Sequence, residues 1–319
     1  MGPRGRLAPA LCALLAAAAP AFGVTPRGHL VEEALRVEVA VPSEIEVGSR
    51  AHFRRLPRAD PAGGERISEK GYSLVWSDEF DGGGPVDHQR WIQQSQRNGE
   101  DGNGELQFYT DREDNACQRD GHLHIVAKKE EYGGADYTSA KLMSKPGWLY
   151  GQFRIRSRFK GAWTRGLISA HWMMPVNDTW GIWPSSGGID IMETFSFFHR
   201  VGASVQTEAH NHMIHTLEEN KTAVAMAVDP REWHEYVLEW REDRILFAVD
   251  GKVYLAVEKE PGGGHAQWPF SEPFYLILNL SVGGSFFNGL VPIDDAALVG
   301  EGQTLEVDYV RVYQKRRKT

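Results

Sequence analysis

From residue 72 onward the chain consists of short runs in which apolar and polar positions alternate, separated by clusters of Gly, Asp, Asn and Pro. Gly151-Gln152-Phe153-Arg154-Ile155-Arg156-Ser157-Arg158 is one such run, with Phe and Ile on one parity and Arg on the other. Successive side chains on a strand point to opposite faces, so the pattern predicts a strand with one buried and one wet face. Gly121-His122-Leu123-His124-Ile125-Val126-Ala127 and Arg244-Ile245-Leu246-Phe247-Ala248-Val249-Asp250-Gly251 read the same way, and the Asp-Gly that ends the second is a turn signal. Long helical periodicity is absent. The expectation is an all-β chain, two antiparallel sheets packed as a sandwich.

Composition narrows this picture. At 319 residues and 41% hydrophobic content, one large core is affordable and a second domain is not required. A net charge of −8 and a pI near 5.9 argue against nucleic acid as a partner. The exception, Lys315-Arg316-Arg317-Lys318, reads as a solvated basic tail over residues 315–319. Residues 1–23 read as a secretory signal: Arg4 and Arg6 precede the Ala- and Leu-rich run Leu7 to Phe22, and Ala21-Phe22-Gly23 offers a small-x-small cleavage site. The run is too short and Ala-rich for a membrane span, so a secreted protein free of the membrane is expected. With Cys12 in that segment, Cys117 stands alone, and no internal disulfide is expected. Cys117 reads as a small buried residue. Residues 24–71 differ in composition; Val37 to Val41 resembles a strand, but Pro57, Pro61, Gly63 and Gly64 mark a propeptide or linker. Asn177, Asn220 and Asn279 head glycosylation sequons, the last in an apolar β run where it is expected to be inaccessible.

The chemistry concentrates in Trp183-Pro184-Ser185-Ser186-Gly187-Gly188-Ile189-Asp190-Ile191-Met192-Glu193. Positions 188 and 190 share one face of a strand, and strict alternation would next place Met192 there. Glu193 joins that face only if one extra residue bulges between Asp190 and Glu193.

The pattern E-x-D-x-x-E, with Gly188 at its first position, resembles glycoside hydrolase family 16, in particular its laminarinase-like β-glucanases. Other segments carry the same resemblance in order: Leu74-Val75-Trp76-Ser77-Asp78-Glu79-Phe80-Asp81-Gly82, Asn103-Gly104-Glu105-Leu106-Gln107-Phe108-Tyr109-Thr110, Tyr137-Thr138-Ser139-Ala140-Lys141-Leu142, Tyr150-Gly151-Gln152-Phe153, Trp268-Pro269-Phe270 through Asn279-Leu280-Ser281-Val282-Gly283-Gly284, and Val307-Asp308-Tyr309-Val310-Arg311-Val312-Tyr313. They delimit a domain over residues 72–314. The resemblance implies a concanavalin-like jelly roll whose concave sheet forms a sugar cleft. It also implies a retaining endo-hydrolase of β-1,3 or mixed-linkage glucan such as laminarin, with Glu193 as acid/base, Asp190 as the orienting carboxylate and the nucleophile position vacant at Gly188. Further departures are Gly104 for Asn, Ile168 and Ser169 before Trp172 where Trp and Pro are expected, and Gln206 where a His often stands.

Around this strand, Asn103, Trp163, Trp172, Trp180, Trp183, Gln206, Glu208, Asn211 and His212 are candidates for sugar contact. Aromatic faces stack on the C–H faces of pyranose rings, although core packing is an even alternative for any single Trp. His210 and His212 have metal-like i, i+2 spacing, but a polar cleft wall is preferred. The resemblance implies no catalytic cofactor. It does allow a structural calcium held by backbone oxygens of Glu79 and Gly121 and the carboxylate of Asp308. Loss of a catalytic nucleophile costs on the order of 10⁴–10⁶ in rate, so very weak hydrolysis is expected. The alternatives are a non-catalytic glucan-binding protein and a hydrolase or transglycosylase for another β-linked polysaccharide. A monomer is expected.

Overall fold

Alternation is realised as two sheets. The computed structural model describes residues 65–97, 103–161, 164–195, 199–214, 222–287 and 292–316. The signal segment, the run Val37 to Val41, Trp163 and Asn220 lie outside the described residues. A seven-stranded sheet runs Ala223–Ala227, Arg200–Gln206, Gly188–Phe195, Leu167–Pro175, Phe274–Val282, Lys141–Trp148 and Trp91–Gln93 in spatial order. A twelve-stranded sheet is built around Gly151–Lys160, His234–Trp240 and Gln303–Lys315. Among the described residues the pairings are antiparallel except that Gln107–Tyr109 runs parallel to Ala135–Ser139.

The parity of each strand decides what enters the core. Phe153 and Ile155 point inward with Leu238, Trp240 and Phe247 from neighbouring strands of their sheet. Ile189, Val205, Leu276, Leu278 and Leu280 meet them from the other sheet. The polar parity of Gly151–Lys160 faces away and is neutralised by carboxylates across the ladder. Arg154 pairs with Glu235 at 2.9 Å, Arg156 with Asp308 at 2.5 Å, and Arg158 and Lys160 both with Glu306 at 2.7 Å. One polar pair bridges the sheets inside the core: Ser157 Oγ lies 2.7 Å from His171 Nε2, and both residues are buried. Burial holds His171 neutral, with its pKa lowered to about 3.

The segments flanking residues 72–314 make contacts with the domain. Residues 65–71 lie against the body: Arg66 bridges to Lys252, Ser68 O accepts from Gln152 Nε2 at 2.8 Å, and Ile67 is buried among Val237, Leu246, Ala248 and Val253. Ile67 thereby covers an apolar strip on the outer face of the larger sheet. At the other end, the first two residues of the basic tail are exposed, and residues 317–319 lie outside the described residues. Lys315 closes the last strand, and Arg316 donates to Gly71 O at 3.1 Å and Ser73 Oγ at 3.0 Å.

Candidate active site

The site lies on the face of the seven-stranded sheet that points away from the core. Gly188–Phe195 sits near its middle, between Leu167–Pro175 and Arg200–Gln206. The bulge that Glu193 requires is present. Against one neighbour the register passes from Asp190↔Ser204 to Glu193↔Gly202; against the other it passes from Trp172↔Asp190 to Ala170↔Glu193. Three residues thus span what two span on either side, Ile191 and Met192 both enter the core, and Glu193 returns to the face of Asp190.

Each carboxylate has a distinct setting. Asp190 Oδ2 accepts from Ser204 Oγ at 2.5 Å and Gln206 Nε2 at 2.8 Å. Gln206 is in turn fixed by Ser204 Oγ at 2.9 Å and by the His212 backbone N–H, which donates to its Oε1 at 3.2 Å. Glu193 has the small cross-strand neighbours Ala170 and Gly202 and no hydrogen-bond donor among the described residues. Burial, reinforced by the negative charge of Asp190, pushes Glu193 well above the usual carboxylate range. Burial also raises Asp190, but the bonds from Ser204 and Gln206 and the nearby His212 pull the other way. The two groups are therefore driven toward different protonation states, Glu193 holding the proton more tightly.

Two adjacent glycines behave differently. Gly187 has φ +87°, and a Cβ there would come within 2.8 Å of Pro269 Cγ, so both backbone and space demand glycine. Gly188 is outside the left-handed region, and a Cβ would meet Trp183 Nε1 at 3.4 Å and Gln206 Cβ at 3.6 Å, ordinary contact distances. It is neither at a bulge nor at a close backbone approach, the usual reasons for glycine in a strand. The position can carry a side chain pointing to the same face as Asp190 and Glu193.

The walls come from loops. The segment between Pro175 and Gly188 is tied by Ser186, whose Oγ donates to Gly181 O at 2.6 Å and accepts from Trp180 N at 3.0 Å. It presents Trp180, stacked on His265 at 4.8 Å, and Trp183, tilted on His212 at 5.1 Å. Trp172 is on the cleft face but is engaged by the protein: its Nε1 donates to Asn279 Oδ1 at 2.7 Å, and the Lys141 ammonium lies 5.0 Å from its ring. Asn103 is exposed, and its carbonyl accepts from Ser285 N at 2.5 Å. Glu208 is exposed, whereas Asn211 is buried and its amide donates to Thr207 O at 3.0 Å and Glu208 O at 3.3 Å. Asn211 thus holds the loop that carries His212. Asn279, also a sequon residue, is buried in a central strand, as its surroundings in the sequence predict.

Sequence reasoning did not single out Ser204, Lys141 or Asn279 as site residues. Their signal was present as polar residues on the non-core parity of otherwise apolar strands. Burial lowers the Lys141 pKa, against the pull of Glu105.

As for the suggested calcium, Glu79 is paired with Arg311 at 2.7 Å, while Asp308 faces Arg156 and lies 3.8 Å from His122. As arranged, the one carboxylate expected to bind the ion is committed to a guanidinium, so the side chains do not form a ready cation site.

Two carboxylates of different proton affinity, Asp190 and Glu193, thus share the outer face of one sheet of a β-sandwich, with Trp180 and Trp183 on the loop beside them. Residues 92–310 match the Glycosyl hydrolases family 16, and the chain belongs to that family. It is 40% identical over 253 residues to a beta-glucanase of Rhodothermus marinus, covering 76% of this chain and 85% of the relative. The solved laminarinase from the same organism superposes with a TM-score of 0.71 at 37% identity, covering 77% of this chain and 98% of that one. A beta-1,3-glucan-binding protein of Penaeus monodon is similar at 29% identity over 238 residues, covering 56% of this chain and 63% of that protein. The fold is the jelly roll that these laminarinases share.

Proposed function

We propose that this chain is a secreted, monomeric β-glucan-active protein that binds β-1,3 or mixed-linkage glucan across the outer face of the seven-stranded sheet, and whose retaining hydrolysis is severely impaired. In this reading Glu193 is the acid/base, Asp190 orients and tunes, and Gly188 leaves the nucleophile position vacant. The observation that carries it is the contrast at 187 and 188: Gly187 is required by the backbone, whereas Gly188 occupies a spot built to accommodate a side chain. A carboxylate there would approach the scissile carbon from the side opposite Glu193, as double displacement needs. Trp180, Trp183 and His212 supply the stacking and polar wall.

The test is laminarin binding and hydrolysis by this chain beside Gly188→Glu. Binding by both, with turnover at least 10⁴-fold faster for Gly188→Glu (an order-of-magnitude expectation), supports the reading. Comparable turnover by the unmodified chain sinks it. A purely binding role is favoured by the similarity to the glucan-binding protein of Penaeus monodon. It predicts tight binding with no turnover in either protein. Cleavage by Gly188→Glu of another β-linked polysaccharide, with none of laminarin, would move the substrate elsewhere. Calcium enters only if Asp308 exchanges Arg156 for the ion. A melting temperature raised by calcium and lowered by chelator would show that it does.

A further inference from the structure

At one end of the larger sheet, Gly151 pairs with Trp240 and Tyr72 with Lys315. Two adjoining recesses of about 390 and 560 Å³ open there. Both volumes lie within the roughly 300–1,000 Å³ of small-ligand pockets. The recesses share Arg241, Glu242 and Lys315. The smaller is also lined by Leu149, Tyr150 and Trp240, the larger by Asp243 and Lys259.

Trp240 is fully buried, yet its Nε1 has no acceptor among the described residues, and neither has the buried Nε of Arg241. Buried donors without acceptors are rare in native folds and call for a partner from outside the chain. Charges of both signs stand around them. Glu242, Asp243, Lys259 and Lys315 are exposed, and none has an ion-pair partner among the described residues. Leu149 and Tyr150 add an apolar surface on a costly turn: Tyr150 has φ +60°, the left-handed region that a bulky side chain disfavours. Gln314 holds that turn, donating from Nε2 to Leu149 O at 3.1 Å and Tyr150 O at 3.2 Å. The turn sets Tyr150 edge-on to Trp240, with ring centres 5.3 Å apart, and leaves Leu149 exposed.

A ligand for these recesses needs acceptors for two buried N–H groups, an apolar face, and a match to both charge signs. An acidic ligand meets Glu242 and Asp243; a basic one meets Arg241, Lys259 and Lys315. The hydroxyls of a neutral sugar accept from N–H groups and donate to carboxylates, and its C–H faces suit Leu149 and Tyr150. We propose that the two recesses form a second glucan-binding site, separate from the groove, that takes a further segment of the same β-glucan chain. The proposal rests on the glucan reading above. One loop links the two places. Lys259 lines the larger recess, and His265, six residues on, stacks on Trp180 in the groove wall. Trp268, at the end of that loop, donates from Nε1 to Glu242 O at 3.0 Å and ties the loop to the turn of the recess. Six residues span at most about 21 Å, so one polymer is long enough to reach both sites. Its second contact is then intramolecular, which raises affinity for the polymer over that for a short oligosaccharide.

The experiment titrates the full chain, nitrogen-labelled at its tryptophan indoles, with laminaritetraose and follows the assigned indole N–H signals of Trp183 and Trp240 by NMR. Affinity for laminarin is measured in parallel by affinity electrophoresis. Both signals are expected to move, Trp183 reporting the groove and Trp240 the recess. The double variant Glu242→Ala with Lys315→Ala changes two exposed side chains. In it the Trp240 signal should stay still while Trp183 still moves, and laminarin affinity should fall about tenfold or more. A Trp240 signal that stays still in the unmodified chain while Trp183 moves overturns the second site and leaves the glucan reading standing. So does unchanged laminarin affinity in the double variant. If neither signal moves and laminarin does not retard the unmodified chain, the glucan reading falls and the second site with it.

Discussion

At the scale of single residues, the site is governed by what each side chain is denied. Glu193 is denied hydrogen-bond donors among the described residues and faces another carboxylate, so its proton is held well above the ordinary value of 4.5. A carboxyl whose folded pKa is raised contributes stability that is intact below 4.5 and lost as pH climbs through the folded value. Glu193→Gln removes a charge the fold disfavours. Its melting temperature should match the parent near pH 4 (approximately) and exceed it increasingly toward alkaline pH. Parallel melting curves across that range would refute the assignment. The neighbouring glycines give a second contrast. Gly187→Ala should destabilise by roughly 1–3 kcal/mol, because it combines positive φ with a clash at Pro269. Gly188→Ala, whose Cβ meets only ordinary contacts, should shift stability by less than about 1 kcal/mol, and thermal melts of the two variants decide. The residues 188, 190 and 193 were legible in the sequence because they lie on one short run with a recognisable spacing. Ser204 and Lys141 were not, because what makes them site residues is the register of strands distant in the chain.

At the scale of elements, the bulge and the loop before it do separate jobs. The bulge sends Ile191 and Met192 together into the core and returns Glu193 to the cleft face. Alternation alone predicts Met192 there, so the sequence announces the bulge only through the carboxylate that would otherwise be buried. The loop from residue 176 to 187 owes its shape to Ser186, which bonds both Gly181 and Trp180. Ser186→Ala leaves those backbone groups without that partner and should cost about 1–2 kcal/mol. If Trp180 and Trp183 form the sugar wall, laminarin affinity should fall several-fold in the same variant, measured by affinity electrophoresis. Unchanged affinity would assign these indoles to packing. Elements at the margins were the least legible. The cover formed by Ile67 and the anchoring of Arg316 depend on an apolar strip and a sheet edge assembled from residues 65–316, and nothing in either flanking segment alone declares them.

At the scale of the whole molecule, two sheets meet through an apolar interior crossed by the Ser157–His171 pair. The alternating runs made the sandwich foreseeable; the polar crossing was not, since it joins strands whose facing partners the sequence does not specify. His171 has an ordinary value of 6.5 and is lowered to about 3 when folded. Between those values the unfolded chain binds the proton and the folded one does not, so acidification below 6.5 erodes stability. The erosion from this one group is about 1.4 kcal/mol per pH unit. Replacing the pair by His171→Leu with Ser157→Ala should remove that share of the acid sensitivity, seen as a shallower fall of denaturation midpoint between pH 6 and 4 (approximate bounds). An equally steep fall in the double variant would place the acid sensitivity in the carboxylate ladder of the larger sheet.

The open space beside Gly188 also has a genetic meaning. Two of the glycine codons become glutamate codons by a single change at the second base. The backbone at that position already suits such a side chain, and Gln206 and Trp183 leave it ordinary clearance. With either of those codons at position 188, one base change completes the carboxylate set. A randomly mutagenised library of this gene, plated on laminarin and scored for clearing zones, should return codon 188 repeatedly among its gains of activity.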